Sequence, residues 1–299
     1  MKLTNKEGEA LSPQMQRAAI QALTSTNATI RSQAYAALQL PLRRALDEES
    51  SVRRIYQTVT LGAQDDAIFP VDTDDEVEVV VSSAYGIPPI SMFVTDVVTV
   101  NTDTYQGGWE IPEQMVSSGR IDQVSRNSRR LINGFIAKEE TTGWSVITSC
   151  VSGTNTSEVV GTGADLCSLE LLNLLQVASQ EKGYVIDQLW VSPGSMGDLR
   201  MYCKEAGLPN EVRFDLWKNG MIQGLWGMDI YAYRTLGDDY IYGFDTSRFG
   251  VMPIRQELET RQDPTAASQF KVRVYAQEQV GFCAIQKDAI FVGKTGKSA

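Results

Sequence analysis

The chain has 299 residues, 42% hydrophobic and 21% charged, with a formal charge of −10 and an isoelectric point near 4.7. That composition is globular. It has no run near the roughly 18 apolar residues of a membrane span and no signal-peptide core in MKLTNKEGEA, so neither membrane insertion nor export is expected. An acidic total argues against sequence-specific nucleic-acid binding, and the absence of histidine removes the commonest general base and zinc ligand.

Residues 1–52 read as a polar helical arm. Ser12-Pro13 is a start signal, followed by Met15, Ala18, Ala19, Ala22 and Leu23 at helical spacing. Asn27 caps a second helix with Ile30, Ala34, Ala37 and Leu38, which Pro41 is expected to interrupt. Large apolar groups are few, so the arm should pack against something else.

A long hairpin is predicted next, with strands at 54–61 and 77–81. The connection carries Asp65, Asp66, Asp72, Asp74, Asp75 and Glu76 and no basic residue. A loop that long and charged should project. Its cluster Asp72-Thr73-Asp74-Asp75-Glu76 lacks the Gly and distal Glu spacing of a calcium loop and reads as a solvated tip, with an adventitious cation or an intersubunit contact as alternatives. Strands are expected at 92–100 and 107–111.

Residues 113–147 form the clearest long helix. At about 100° per residue, Ile121, Val124, Leu131, Ile132, Phe135 and Ile136 share one face. Arg126 and Arg130 lie opposite, with Arg129 on the flank. Between Arg120 and Lys138 there are five basic residues and one acid, Asp122. This basic face could meet nucleic acid, a carboxylate partner or only water; a solvated face is the plainest reading, and a face turned toward a neighbouring subunit is the alternative to one that meets DNA.

Residues 153–165 read as a linker. Ser168 caps a helix bearing Leu171, Leu174, Leu175 and Ala178, ended by Gly183. A strand at 188–191, a turn at 192–194 and a helix at 195–206 follow. Strands are expected at 229–233, 240–244 and 250–254. In 270–276, Phe270, Val272, Val274 and Ala276 should share one face of a half-buried strand. Strands at 282–285 and 289–292 close the chain.

No motif points to catalysis. Gly161-Thr162-Gly163 fits neither a P-loop nor a dinucleotide fingerprint, and Ser192-Pro193-Gly194-Ser195 is no nucleophile elbow. Cys150, Cys167, Cys203 and Cys283 form no C-x-x-C pair and read as reduced, small buried side chains. No cofactor, metal or enzymatic activity is expected; a carboxylate-dependent hydrolase is the alternative of another class.

The element order over most of residues 50–295 resembles the major capsid proteins of tailed phages with the Hong Kong 97-type fold. Val98-Thr99-Val100 through Trp109-Glu110-Ile111-Pro112 is similar to the strand leading into that family's spine helix. Phe135-Ile136-Ala137-Lys138-Glu139-Glu140 resembles its apolar, basic, acidic run. Leu189-Trp190-Val191-Ser192-Pro193 with Met196-Gly197-Asp198-Leu199-Arg200 resembles an axial strand, turn and helix. Leu225-Trp226-Gly227-Met228-Asp229-Ile230-Tyr231 resembles the segment before an axial strand, with Asp229 where Pro is common. Val272-Arg273-Val274-Tyr275, Val280-Gly281-Phe282 and Lys287-Asp288-Ala289-Ile290 resemble the closing strands.

The resemblance implies an α+β architecture. Its parts would be an N-arm (1–52), an E-loop (53–90), a peripheral domain with a spine helix (91–155 and 250–279) and an axial domain (156–249 and 280–299). It implies a virion protein, assembled in the host cytoplasm into hexamers and pentamers of an icosahedral head around double-stranded DNA bound without sequence preference. No removable charged segment precedes the arm, so a separate scaffolding protein is implied, with portal and decoration proteins as further partners. No Lys lies between Gly62 and Val79, so self-crosslinking through a loop lysine is not expected. The acidic tip should meet a basic patch on a neighbour. The nearest rival is an encapsulin-like compartment, to be told apart by its lack of a long, free helical arm.

Overall fold

The computed structural model describes residues 22–24, 28–62, 64–71, 96–117, 121–151, 158–160, 169–205, 222–225, 227–263 and 270–295. The first arm helix and the hairpin strand expected at 77–81 lie outside these residues, apart from a 3-10 turn at Ala22–Thr24.

Helix α1 (Ala28–Glu49) contains Pro41 and runs on past it. The expected break does not occur. Proline deletes one backbone hydrogen bond, but the following turn is anchored from outside. Leu42 and Leu46 are buried in the core. Arg43 donates to the Leu258 carbonyl at 2.7 Å and pairs with Glu257. Earlier in the helix, the Tyr35 hydroxyl donates to the Arg273 carbonyl and Gln39 to that of Leu258, both at 3.1 Å. The helix is therefore docked on its own chain and is not a free arm.

A short helix, α2 (Val52–Ile55), and strand β1 (Gln57–Thr60) follow where one strand was expected. Strand β1 pairs in parallel with β10 (Gly250–Gln262), with Gln57 opposite Val251. Among the described residues this sheet runs β1-β10-β11-β4, where β11 is Lys271–Val280 and β4 is Asp103–Pro112; β12 (Cys283–Ala284) adds to the start of β10. Along β11, Val272, Val274, Ala276, Glu278 and Val280 all point into the core. Phe270 does not join them. It precedes the strand with φ 53° and is 76% exposed.

The long helix comes as α3 (Glu113–Ser117) and α4 (Ile121–Val151). Val124, Ile132 and Phe135 are buried, and Trp144 and Ile147 extend the stripe. Helix α4 lies over β4. At Gly143, an added Cβ would fall 2.4 Å from a methyl of Val52, so only glycine lets α2 press this closely.

The second sheet runs β5-β13-β9-β6-β8-β7. Its strands are β5 (Glu158–Val160), β13 (Ile290–Lys294), β9 (Tyr240–Phe244), β6 (Gln188–Val191), β8 (Met228–Ala232) and β7 (Ile222–Leu225). Strand β5 falls inside the expected linker and pairs in parallel with β13. Helix α5 (Leu169–Glu181) covers β13 with Leu171, Leu172 and Leu175, and Gly183 ends it at φ 76°. Helix α6 (Pro193–Glu205) starts with Pro193 in its first turn and the Ser195 N–H donating to Ser192 Oγ at 3.0 Å.

One apolar cluster joins the two sheets, from Leu42 and Ile55 through Phe135 and Trp144 to Trp190, Phe244 and Phe291. Trp144 stacks on Tyr233 at 4.9 Å, and Trp190 on Tyr231 at 4.8 Å. Cys150 and Cys283 are half-buried free thiols, both pushed up in pKa by burial.

Candidate functional site

Two surface features lack a partner among the described residues. The first is a two-stranded ribbon of β2 (Ile68–Val71) and β3 (Asp96–Thr99), with Ile68 opposite Thr99 and Val71 opposite Asp96. The hairpin thus begins later than the sequence suggests, because residues 57–60 are held in the sheet. The ribbon's neck is fixed by Val100 N–H donating to the Ala67 carbonyl at 2.8 Å. Beyond it, no side chain of β2 or β3 is buried; Ile68 is 48% and Val97 63% exposed. A two-stranded ribbon with no buried side chain is marginal in water alone and gains from a second surface.

Asp65 and Asp66 sit at the ribbon's root, not its tip. Asp65 accepts from the Gly62 N–H at 2.6 Å, and its carbonyl accepts from Arg255 at 2.9 Å. Asp66 is exposed. Asp72, Asp74, Asp75 and Glu76 lie outside the described residues.

The second feature is a groove of about 740 Å³ between residues 104–109 of β4 and Asn127, Arg130, Leu131, Gly134, Phe135 and Lys138 of α4. Among the described residues the outer edge of β4 pairs with no strand. Leu131 and Phe135 supply an apolar floor, with Arg130 and Lys138 as cations beside it. Arg126 is exposed and forms no ion pair among the described residues. Arg129 is engaged at home, paired with Glu49 at 2.8 Å. The three arginines therefore divide: Arg129 ties α4 to α1, while Arg126 and Arg130 stay available. This geometry is suited to holding an extended, acidic, partly apolar segment.

A third constellation escaped the sequence reading. Arg53 on α2 donates to Glu139 on α4 at 2.6 Å and to Glu278 on β11 at 3.3 Å, and pairs with Asp47 at the end of α1 at 2.5 Å. Both glutamates are fully buried. Burial, the largest single influence, would lower the Arg53 pKa, but the hydrogen bonds to Glu139 and the charges of Glu139, Glu278 and Asp47 together outweigh it and raise the value. Beside it, Glu140 accepts from Ser51 Oγ at 3.0 Å and from the Tyr233 hydroxyl at 3.1 Å. The signal was present in the sequence. Glu139 lies four residues after Phe135 on the apolar stripe, and Glu278 continues the inward alternation of β11.

No family model matches the chain, and no curated protein matches it in sequence. Solved structures do match in fold. A structure from Microbacterium phage Oxtober96 shares 12% identity at a TM-score of 0.57, covering 81% of this chain and 90% of its own. The capsid of an empty GTA particle shares 16% at 0.54, covering 83% and 90%. The holo-SrpI encapsulin complex from Synechococcus elongatus PCC 7942 shares 12% at 0.52, covering 83% and 87%. The likeness is one of overall fold: the chain, with its mixed helices and strands, has the Hong Kong 97-type capsid fold.

Proposed function

We propose that the protein is the major capsid protein of a tailed phage, a structural subunit without catalytic function. It assembles into hexamers and pentamers of an icosahedral head that encloses double-stranded DNA. The observation that carries this reading is the ribbon β2–β3, in which no side chain is buried among the described residues. In the assembled shell the ribbon lies on a neighbouring subunit, its acids (Asp65 and Asp66 at the root, and Asp72, Asp74, Asp75 and Glu76 after β2 in sequence) facing basic residues such as Arg126, Arg130 and Lys138. Scaffolding, portal and decoration proteins are its further partners in the virion, and it assembles in the host cytoplasm. No helix among the described residues is long and apolar enough to cross a membrane.

A second reading, an encapsulin-like compartment, is favoured by the match to an encapsulin at a TM-score close to that of the phage structure. The free arm that was to separate the two readings is docked in residues 28–49, so that criterion no longer discriminates. Electron microscopy of the purified protein tests both. Icosahedral particles or capsomers are expected, and small monodisperse particles under assembly conditions would reject both. Nucleic acid recovered from particles made in the native host supports the head; a packaged protein cargo supports the compartment.

A further inference from the structure

Four elements meet at Arg53, and the charges there do not balance. Two fully buried carboxylates, Glu139 and Glu278, share one nearly buried guanidinium. Glu139 is well served: it accepts from Arg53 Nε and Nη2 and from Ser50 Oγ at 2.9 Å. Glu278 has only the 3.3 Å contact of its Oε2, and its buried Oε1 has no hydrogen-bond partner. Asp47, largely exposed, adds negative charge from α1. On β4, Tyr105 stands opposite Glu278, with the Lys138 ammonium 6.0 Å from its ring and Asp103 near the start of the strand. Glu140 is turned away toward Ser51 and Tyr233. Arg53 is thus the one cation paired with Glu278 among the described residues.

A low-dielectric interior does not hold an excess charge when a proton can remove it, and the carboxylate with fewer donors takes the proton. Burial, and after it the charge of Glu139, push Glu278 up to about 8 against the opposing pull of Arg53.

We propose that Arg53, Glu139 and Glu278 form a proton-dependent latch between α1, α4 and the five-stranded sheet. With Glu278 protonated, Arg53 is committed to Glu139 and Asp47, and the joint is closed. When Glu278 ionises, two buried anions compete for one guanidinium and the joint loosens. Helix α2, which carries Arg53, lies directly between α1 and β1. The latch therefore sets how both the arm helix and the root of the ribbon leave the body of the protein. It involves one chain only and stands apart from the shell reading.

The sign follows from the raised pKa. The closed state binds a proton that the open, hydrated state releases, so closure weakens as pH rises from the ordinary carboxylate range to about 8 and levels off above it. The opening equilibrium grows by up to about tenfold per pH unit in that window.

Amide hydrogen exchange on the full chain, corrected for the intrinsic pH dependence, tests this. Residues 44–60 and 136–142 should lose protection on the order of tens-fold between about pH 6 and about pH 9, and Glu278→Gln should abolish the loss. Equal losses in the two proteins would overturn the proposal. Infrared difference spectra of the wild type decide the case even if that variant does not fold. A protonated-carboxyl band present at about pH 6 and gone at about pH 9 is expected, moved to lower pH by Glu139→Gln; its absence at about pH 6 would overturn the proposal.

Discussion

At the residue scale, the core tolerates charge only where it is matched. Replacing Arg53 by Met leaves Glu139 buried without its cation. Breaking a buried pair in this way costs about 3–5 kcal/mol at neutral pH. Urea denaturation of the variant and the wild type measures the deficit. Gly143→Ala drives a Cβ into Val52 and should cost about 1–3 kcal/mol. The double variant with Val52→Ala should recover part of that loss in the same assay, and a purely additive result would place the strain elsewhere. Neither effect is visible in composition. Both acids sit on stripes whose periodicity the sequence displays, but which cation they meet depends on α2 folding back against α4, a contact between residues 86 positions apart in sequence.

At the element scale, the periodic segments were the legible ones. Helix α4, helix α5 and strand β11 follow from 3.6- and 2-residue patterns, because each buries one face against a large core. The arm and the hairpin were harder. Pro41 is a helix breaker by local preference, yet α1 continues because Leu42, Leu46 and Arg43 are fixed by β10 and the core. Likewise residues 54–61 read as half of a hairpin, but strand propensity does not name a partner, and β10 claims 57–60 in parallel. The candidate site was legible in part. The basic face of α4 could be read from the sequence; the open edge of β4 beside it, and the loss of Arg129 to Glu49, could not. The docked arm makes a direct prediction: Leu46→Ala should destabilise the protein by about 2–5 kcal/mol in thermal or chemical denaturation. A freely hanging arm would show less than about 0.5 kcal/mol.

At the scale of the whole molecule, the net charge of −10 means that copies repel at long range and must attract locally. In the proposed shell that attraction lies between the acidic ribbon and the exposed cations of α4. Each exposed pair contributes only about 0–1 kcal/mol, but closed symmetry repeats it many times. Neutralising Asp72, Asp74, Asp75 and Glu76 together should slow or misdirect assembly at low salt, as followed by light scattering. The difference from wild type should fade as salt rises, because exposed charges are screened beyond about 10 Å at 0.1 M. Identical assembly traces at every ionic strength would remove the electrostatic account while leaving the fold untouched.

The attachment of the ribbon has a mechanical side. Its outgoing leg follows β1 and its returning leg runs into β4, and these are the two opposite edge strands of the five-stranded sheet. A pull on the ribbon is therefore shared across the sheet like a load on a yoke, through β10 from one side and β11 from the other. Force along β1 or β4 meets the ladder bonds in shear, where several must yield together. A subunit tugged by its neighbour would transmit the strain to α4 through the sheet before its ribbon tore free.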